Sequence, residues 1–446
     1  MILNLTFDDV KKMKENFLSS PKNIVAMNAA SNNAITAVSL KREYVAKYNH
    51  VFSHEIPSMK ITNQEHSGRC WIFAGLNVFK YEAAKNLNLE QFEFSQSYEM
   101  FWDKLEKANY FLESIIKTSS EDLQSRLVSW LLQRLVEDGG QWGMFSNLVK
   151  KYGVVPKDVM KESYNTSNSQ IMNMLLKSKL REDAMLLRKM HDEGKSLDEI
   201  MKRKKEMLSE IYNVLAVNIG IPPERFDYEY RDKEGNYHRI ENITPQEFFE
   251  RYVKMNLDKM VSLINCPTPD KEYMKTYTVD FLGNVVGGDE VVYLNVDLES
   301  FKNIAMKAVM DEKPTWFASD VGKMMEREKG ILDTDVFDFE NLYGVNFNLT
   351  KSQRLDYGDS LMTHAMVLLG VDVMDGKPTK WKVENSWGDK NGKDGYFIMG
   401  EKWFEEYAYE IVVDESYLSD EMKEAWRAKP IVLPPWDPMG SVARVK

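Results

Sequence analysis

Cys70 stands in a setting that could make a nucleophile. It lies in the run Asn63-Gln-Glu-His-Ser-Gly-Arg-Cys-Trp-Ile-Phe-Ala, where the apolar spacing after it predicts a helix over Trp71 to Lys85. A thiol at a helix start meets partial positive charge and unpaired N–H groups, Arg69 is adjacent, and an imidazolium partner would lower its pKa further. The thiolate is the attacking form. A lone cysteine at a helix start is otherwise a small buried hydrophobe, so Cys70 requires partners. His364 opens the apolar run Ala365-Met-Val-Leu-Leu-Gly-Val, and Asn385 closes the alternating run Thr379-Lys-Trp-Lys-Val-Glu. The turn residues Met374-Asp-Gly-Lys-Pro lie between them, and the midpoint of 364 and 385 falls at the edge of Asp375-Gly376. An antiparallel hairpin about that turn makes His364 and Asn385 near neighbours. An imidazole that must activate a thiol gains from an acceptor on its second ring nitrogen, which Asn supplies without adding charge. Gln64, six residues before Cys70, can donate its amide N–H to a tetrahedral oxyanion beside the Cys70 backbone N–H. Trp387 can cover the Asn–His bond and keep water from it. Taken singly, each of these residues has a plainer reading as core, turn or loop.

The elements that must position these groups are legible in outline. A helix is expected over Thr6 to Leu18, then Trp71 to Lys85, Ser95 to Ser114 and Glu121 to Glu137, after which Asp138-Gly139-Gly140 breaks the pattern. Residues 169 to 217 are rich in Met, Leu, Lys and Glu, with Gly194 the single glycine, and read as two or three long helices. After Cys266-Pro267 the character changes to β-rich runs at Tyr273 to Phe281, Val291 to Val296, Ala365 to Val373, Lys380 to Glu384 and Tyr396 to Met399. The tail Leu433-Pro-Pro-Trp-Asp-Pro is expected to be extended. Helical segments through the first part of the chain and β-rich runs in its C-terminal third are the pattern of an α+β protein.

Composition bounds the function. The 446 residues are 43% hydrophobic and 28% charged, which is the balance of a folded globular chain. With 58 Lys and Arg against 69 Asp and Glu the net charge is −11, so no global basic field exists to neutralise phosphates; nucleic acid is not an expected partner. Met201-Lys-Arg-Lys-Lys-Glu is a basic run best read as a solvated helix face. No apolar run approaches the ~20 residues of a membrane span. The acidic N-terminal stretch lacks a signal-peptide pattern, and two cysteines, Cys70 and Cys266, make no disulfide framework; a cytoplasmic location is expected. HExxH, CxxC, GxSxG and GxxxxGK[ST] patterns are missing, so neither metal nor cofactor is expected.

In order along the chain, Gln64, Ser67-Gly-Arg-Cys-Trp-Ile-Phe-Ala, Thr363-His-Ala-Met and Glu384-Asn-Ser-Trp-Gly resemble the papain-like cysteine peptidases. Two departures stand out. His364 follows Cys70 by 294 residues, against about 130–150 in papain itself, and Ser67 replaces the first cysteine of the papain-type signature, which suits a reducing compartment. Further runs, Phe94-Ser-Gln-Ser-Tyr, Phe101-Trp-Asp-Lys-Leu-Glu-Lys-Ala-Asn-Tyr-Phe, Asp138-Gly-Gly-Gln-Trp-Gly-Met-Phe, Lys151-Tyr-Gly-Val-Val-Pro-Lys and Trp436-Asp-Pro-Met-Gly, resemble the branch of bleomycin hydrolase and the bacterial aminopeptidase C enzymes over nearly the whole chain.

That resemblance implies a papain-like two-lobe fold with a large helical insertion. It divides the chain into an N-terminal arm (1–60), a helical lobe with the nucleophile (61–168), the insertion (169–265), a β lobe with His364 and Asn385 (266–400), and a C-terminal segment and arm entering the cleft (401–446). It further implies a cysteine aminopeptidase acting on peptides with a free N-terminus, and a homohexamer. Cys70, His364, Asn385 and Gln64 take the catalytic roles, and Gly139 and Gly140 pair with substrate main chain. The carboxylate of Lys446 anchors the substrate amine, although Gly440-Ser-Val-Ala-Arg-Val-Lys runs differently from the family's usual tail. Two other readings stay open at this stage: a hydrolase of non-peptide amides using the same residues, and a catalytically idle scaffold that binds peptide or nucleic acid.

Overall fold

A computed structural model of the chain describes residues 4–441. The β-rich runs after residue 260 join in one mixed sheet of twelve strands. Its strands are β1 (His54–Glu55), β4 (Met260–Ile264), β5 (Lys275–Val279), β6 (Val292–Asn295), β7 (Thr315–Ser319), β8 (Met325–Glu326), β9 (Ile331–Leu332), β10 (His364–Met374), β11 (Lys377–Glu384), β12 (Tyr396–Gly400), β13 (Ala408–Asp414) and β14 (Ile431–Leu433). A separate hairpin pairs β2 (Phe226–Arg231) with β3 (Tyr237–Ile243). Across the sheet the order is β14-β5-β6-β4-β13-β7-β10-β11-β12-β9-β8, with β1 beside β10. Alternation along β10 divides its side chains between two cores: Ala365, Val367 and Leu369 face the helices, and Met366 and Leu368 face the opposite layer.

Helices α1 (Phe7–Leu18) and α2 (Pro21–Asn32) bury no residue. Helix α3 (Cys70–Leu87) is the opposite case. Every residue from Cys70 to Lys80 is buried, so the helix runs through the interior and is not the one-faced surface helix that its apolar spacing suggests. Around it pack α4 (Gln96–Lys117) and α5 (Trp142–Tyr152), while α6 (Gln170–Asp192) and α7 (Leu197–Ile219) lie on α4. Ser196 and Glu199 form the capping box that starts α7.

Three expectations are corrected. The helix expected over Glu121 to Glu137 shrinks to Arg126–Leu131; beyond it the chain leaves the helical path, and Lys104 and Lys107 of α4 hold the carbonyls of Val136 (2.9 Å), Glu137 (2.9 Å) and Gly139 (2.6 Å). The long helices of the stretch 169–265 end at Ile219; the alternating Phe226-Asp-Tyr-Glu-Tyr-Arg run then forms the β2–β3 hairpin, short helical turns follow at Pro245–Phe248 and Phe249–Val253, and β4 already belongs to the sheet. In the β10–β11 hairpin, Met374 pairs with Lys377 and the turn is Asp375-Gly376, both at positive φ (52° and 75°). This centres the hairpin one residue later than the midpoint of 364 and 385. Continued from Val367↔Glu384, the register sets His364 level with Trp387, and Asn385 reaches the imidazole diagonally.

Candidate active site

The loop before α3 is fixed from several directions before it delivers Cys70. Gln64 is tied to the strand bearing Asn385: its N–H donates to the Ser386 carbonyl (2.8 Å) and its Oε1 accepts from Ser386 Oγ (2.7 Å). Its Nε2 donates to the Ser67 carbonyl (2.6 Å), which leaves one amide hydrogen for an oxyanion. The Ser67 hydroxyl donates back to the Gln64 carbonyl (2.7 Å). Asp138 accepts from the Gly68 N–H (3.0 Å), Ser169 Oγ (2.5 Å) and Asn173 Nδ2 (2.7 Å), and its ion pair with Lys104 spans 2.6 Å. Burial alone would raise the Asp138 carboxyl; Lys104, the Gly68 N–H and Ser169 together hold it well below the usual range. Its carbonyl also receives Trp71 Nε1 (2.6 Å). Nothing in the sequence distinguished Asp138 from an ordinary turn residue.

Arg69 does not serve the thiol. Its guanidinium is buried against Glu162 (3.0 and 2.9 Å) and over the Phe73 ring, so the expected help from an adjacent free cation is corrected to a structural ion pair. Cys70 is itself buried. Burial pushes its thiol up to about 12, against the lowering effect of N–H groups of Ala365, Trp71 and Cys70. The Ala365 N–H belongs to the residue after His364, so the sulfur faces the start of β10.

His364 Nε2 and Asn385 Oδ1 are 2.8 Å apart, and the same oxygen accepts the Ser386 N–H (2.8 Å). With Oδ1 as acceptor, Nε2 carries the proton and Nδ1 is the free base nitrogen. Burial pushes His364 down to about 4; the Asn385 bond opposes this and the Arg327 charge adds to it. Trp387 lies with its ring centroid 4.8 Å from the imidazole. Glu384, next to Asn385, is buried in an ion pair with Lys80 of α3 and accepts from Tyr81 Oη (2.9 Å). This ties the strand carrying Asn385 to the helix carrying Cys70.

Gly139 and Gly140 are both buried. A Cβ on Gly140 would stand 2.6 Å from the Trp71 ring, so this glycine is required by packing whatever else it does. The segment after β14 crosses toward the site. Asp437 pairs with buried Lys271 (2.9 Å), Met439 is buried, Gln141 Nε2 donates to the Ser441 carbonyl, and Ser441 Oγ donates to the Met362 carbonyl (2.9 Å), two residues before His364. Lys446, the expected amine anchor, lies outside the described residues. Cys266 is buried beside Thr268 and is free, as is Cys70. The basic run on α7 is engaged within the fold: buried Lys204 pairs with Glu113, and Arg203 with Glu206 and Glu210. Among the described residues no group of three or more His, Cys, Asp or Glu is placed to hold a metal ion, and no helix is long and apolar enough to cross a membrane.

A cysteine at the start of a buried helix, facing a His–Asn pair on a sheet across a cleft, is the arrangement of the papain class of peptidases. The sequence matches the model of the Peptidase C1-like family over residues 4–440. It is 46% identical to aminopeptidase C of Listeria monocytogenes over 443 residues, covering 99% of this chain and 100% of that one. Human bleomycin hydrolase is 42% identical over 449 residues, with 98% and 99% covered. The crystal structure of PepW from Lactobacillus rhamnosis superposes with a TM-score of 0.98 at 46% identity, covering 99% of this chain and 100% of that one. The chain belongs to the Peptidase C1-like family and has its papain-like fold.

Proposed function

We propose that this chain is a cysteine aminopeptidase that removes N-terminal residues from peptides. Full-length relatives named aminopeptidase C and bleomycin hydrolase support that activity. The observation that carries the reading is the seating of residues 437–441 between Gln141 and Met362, beside the Cys70–His364 pair. A segment so placed would fill the cleft on one side of the scissile bond and limit the substrate residues that fit before it, as an exopeptidase requires.

In the reaction, the Cys70 sulfur attacks the scissile carbonyl while its proton passes to Nδ1 of His364. The oxyanion forms beside the Cys70 N–H, an unpaired donor at the helix start, and the free amide hydrogen of Gln64. His364 passes the proton to the departing amine as the C–N bond breaks, leaving a thioester. Water then gives a proton to His364 and attacks the thioester, and the sulfur leaves with that proton restored. Asn385 holds the imidazole by Nε2 throughout, and Trp387 shields that bond. Gly139 offers main chain to the substrate. On this reading the enzyme works in the cytoplasm as a homohexamer, and light scattering should give a mass about six times that of the 51.9 kDa chain.

The test pairs free-amino aminoacyl fluorogenic amides with their N-acetylated twins. Wild type should hydrolyse only the free-amino members, Cys70→Ala neither, and a variant lacking 437–446 both. Cleavage of the acetylated twins by wild type would make this an endopeptidase, and no cleavage under reducing conditions would favour a binding scaffold.

A further inference from the structure

The sheet order sets two different structures on the two sides of His364. Residues 437–441 arrive from the β14-β5-β6 side and end at Met362, while β11, β12, β9 and β8 extend from β10 in the other direction. At that far end, the turn joining β8 to β9 carries Arg327. Its guanidinium stands 4.5 Å over the ring of Trp387, whose centroid is 4.8 Å from the His364 ring. The short β8–β9 hairpin thus returns along the sheet to place one cation beside the catalytic pair, on the side that residues 437–441 leave open.

That cation is not spent within the fold. Among the described residues Arg327 enters no ion pair within 4.0 Å, although Glu326 and Glu328 flank it in sequence. Glu326 is turned away, its carboxylate accepting from the Lys329 N–H (2.6 Å). Arg327 is exposed, and its stacking on the indole limits its freedom and leaves its N–H edge for a planar acceptor. A structural arginine so close to a buried imidazole has a cost, since its charge opposes protonation of His364.

We propose that Arg327 forms a carboxylate-binding subsite for the leaving part of the substrate, so that the enzyme favours leaving groups bearing a negative charge near the scissile bond. The inference rests on the aminopeptidase reading, which sends the departing residue past His364 toward Trp387. The carboxylate has two sources: the free C-terminus of a dipeptide, or an Asp or Glu side chain at the first leaving position. A guanidinium–carboxylate contact at an exposed site, partly ordered by the indole, is worth about two- to fivefold in kcat/KM.

The experiment measures kcat/KM for four substrates sharing one N-terminal residue: Leu-Ala as free acid, Leu-Ala-amide, Leu-Asp-amide and Leu-Asn-amide. In wild type the acid should exceed its amide, or the Asp amide its Asn isostere, by about two- to fivefold. Arg327→Gln should bring the favoured ratio to near one, with Arg327→Lys intermediate because the point charge remains and the planar fork is lost. The ratio that collapses identifies the source of the carboxylate. Ratios near one in wild type, or equal ratios in wild type and Arg327→Gln, would overturn the subsite while turnover of Leu-Ala-amide still upheld the aminopeptidase. If none of the four is hydrolysed, the aminopeptidase reading fails and the subsite with it.

Discussion

His364 illustrates how a single buried side chain sets the working pH of the site. The lining of apolar groups disfavours a second proton, the bond from Asn385 restores part of that loss, and Arg327 opposes it, with the net result near 4. In the proposed reaction the imidazole must be free at Nδ1 to receive the Cys70 proton. The base form is therefore present above about 4 and is lost as pH falls through that value. The acid limb of kcat/KM should accordingly lie near pH 4, about two units below that of a solvated imidazole, and a limb near 6.5 would show that water reaches the ring. The thiol pushed up to about 12 is the complementary statement. Burial keeps the resting nucleophile protonated, and proton transfer to His364 accompanies attack, because two opposite charges in one small site offset the burial that each alone cannot.

At the scale of elements, the site depends on helix α3 and strand β11 keeping one relation, and the Lys80–Glu384 pair enforces it from inside both. Each side chain is about 1% exposed or less, so removing one partner leaves the other as an unpaired buried charge. Lys80→Met should lower stability by about 3–5 kcal/mol, read as a fall in the denaturation midpoint. The double variant Lys80→Met with Glu384→Gln should recover much of it, since Gln keeps an acceptor for Tyr81 without the charge. Equal midpoints for the single variant and wild type would mean the pair is not closed in solution. Lys80 and Glu384 illustrate what the sequence concealed. Cys70, His364, Asn385 and Gln64 were readable because their types, order and flanking turns are local; the Asp375-Gly376 turn alone brought two of them together, missing the register by one residue. The sheet face of β10 and the long helices α6 and α7 were readable from their periods. A partner 304 residues away, or a carboxylate such as Asp138 gathering four donors from three segments, leaves no periodic trace. The segment after the shortened helix at 126–131 is another such case, since the lysines that hold its carbonyls come from α4.

Over the whole molecule, residues 437–441 connect the outer edge of the sheet to the catalytic strand, and what they cross is unusual. Between the strand of Tyr293 and that of His364 lie β4, β13 and β7, and the middle of β13 presents Glu410 on the face toward the helices, opposite Ile264 and Ala318. Glu410 is fully buried; neither carboxylate oxygen, nor the nearby Tyr293 hydroxyl, has a hydrogen-bond partner among the described residues. Burial pushes the carboxyl up to about 8, with the Ser262 hydroxyl opposing, whereas in the unfolded chain it returns to about 4.3. The folded state thus holds a proton that the unfolded state has released. Below about pH 4 both states are protonated and there is no penalty; between about 4 and 8 stability falls as pH rises, and above about 8 the full cost is in place. Glu410→Gln keeps the shape and removes the titration. Relative to wild type it should gain stability progressively from about pH 5 to pH 8, by a few kcal/mol in order of magnitude, and no further above about pH 9. Denaturant midpoints at four pH values measure this directly. A difference that does not change with pH would place water or another partner on Glu410, and the interior under residues 437–441 would then be wet.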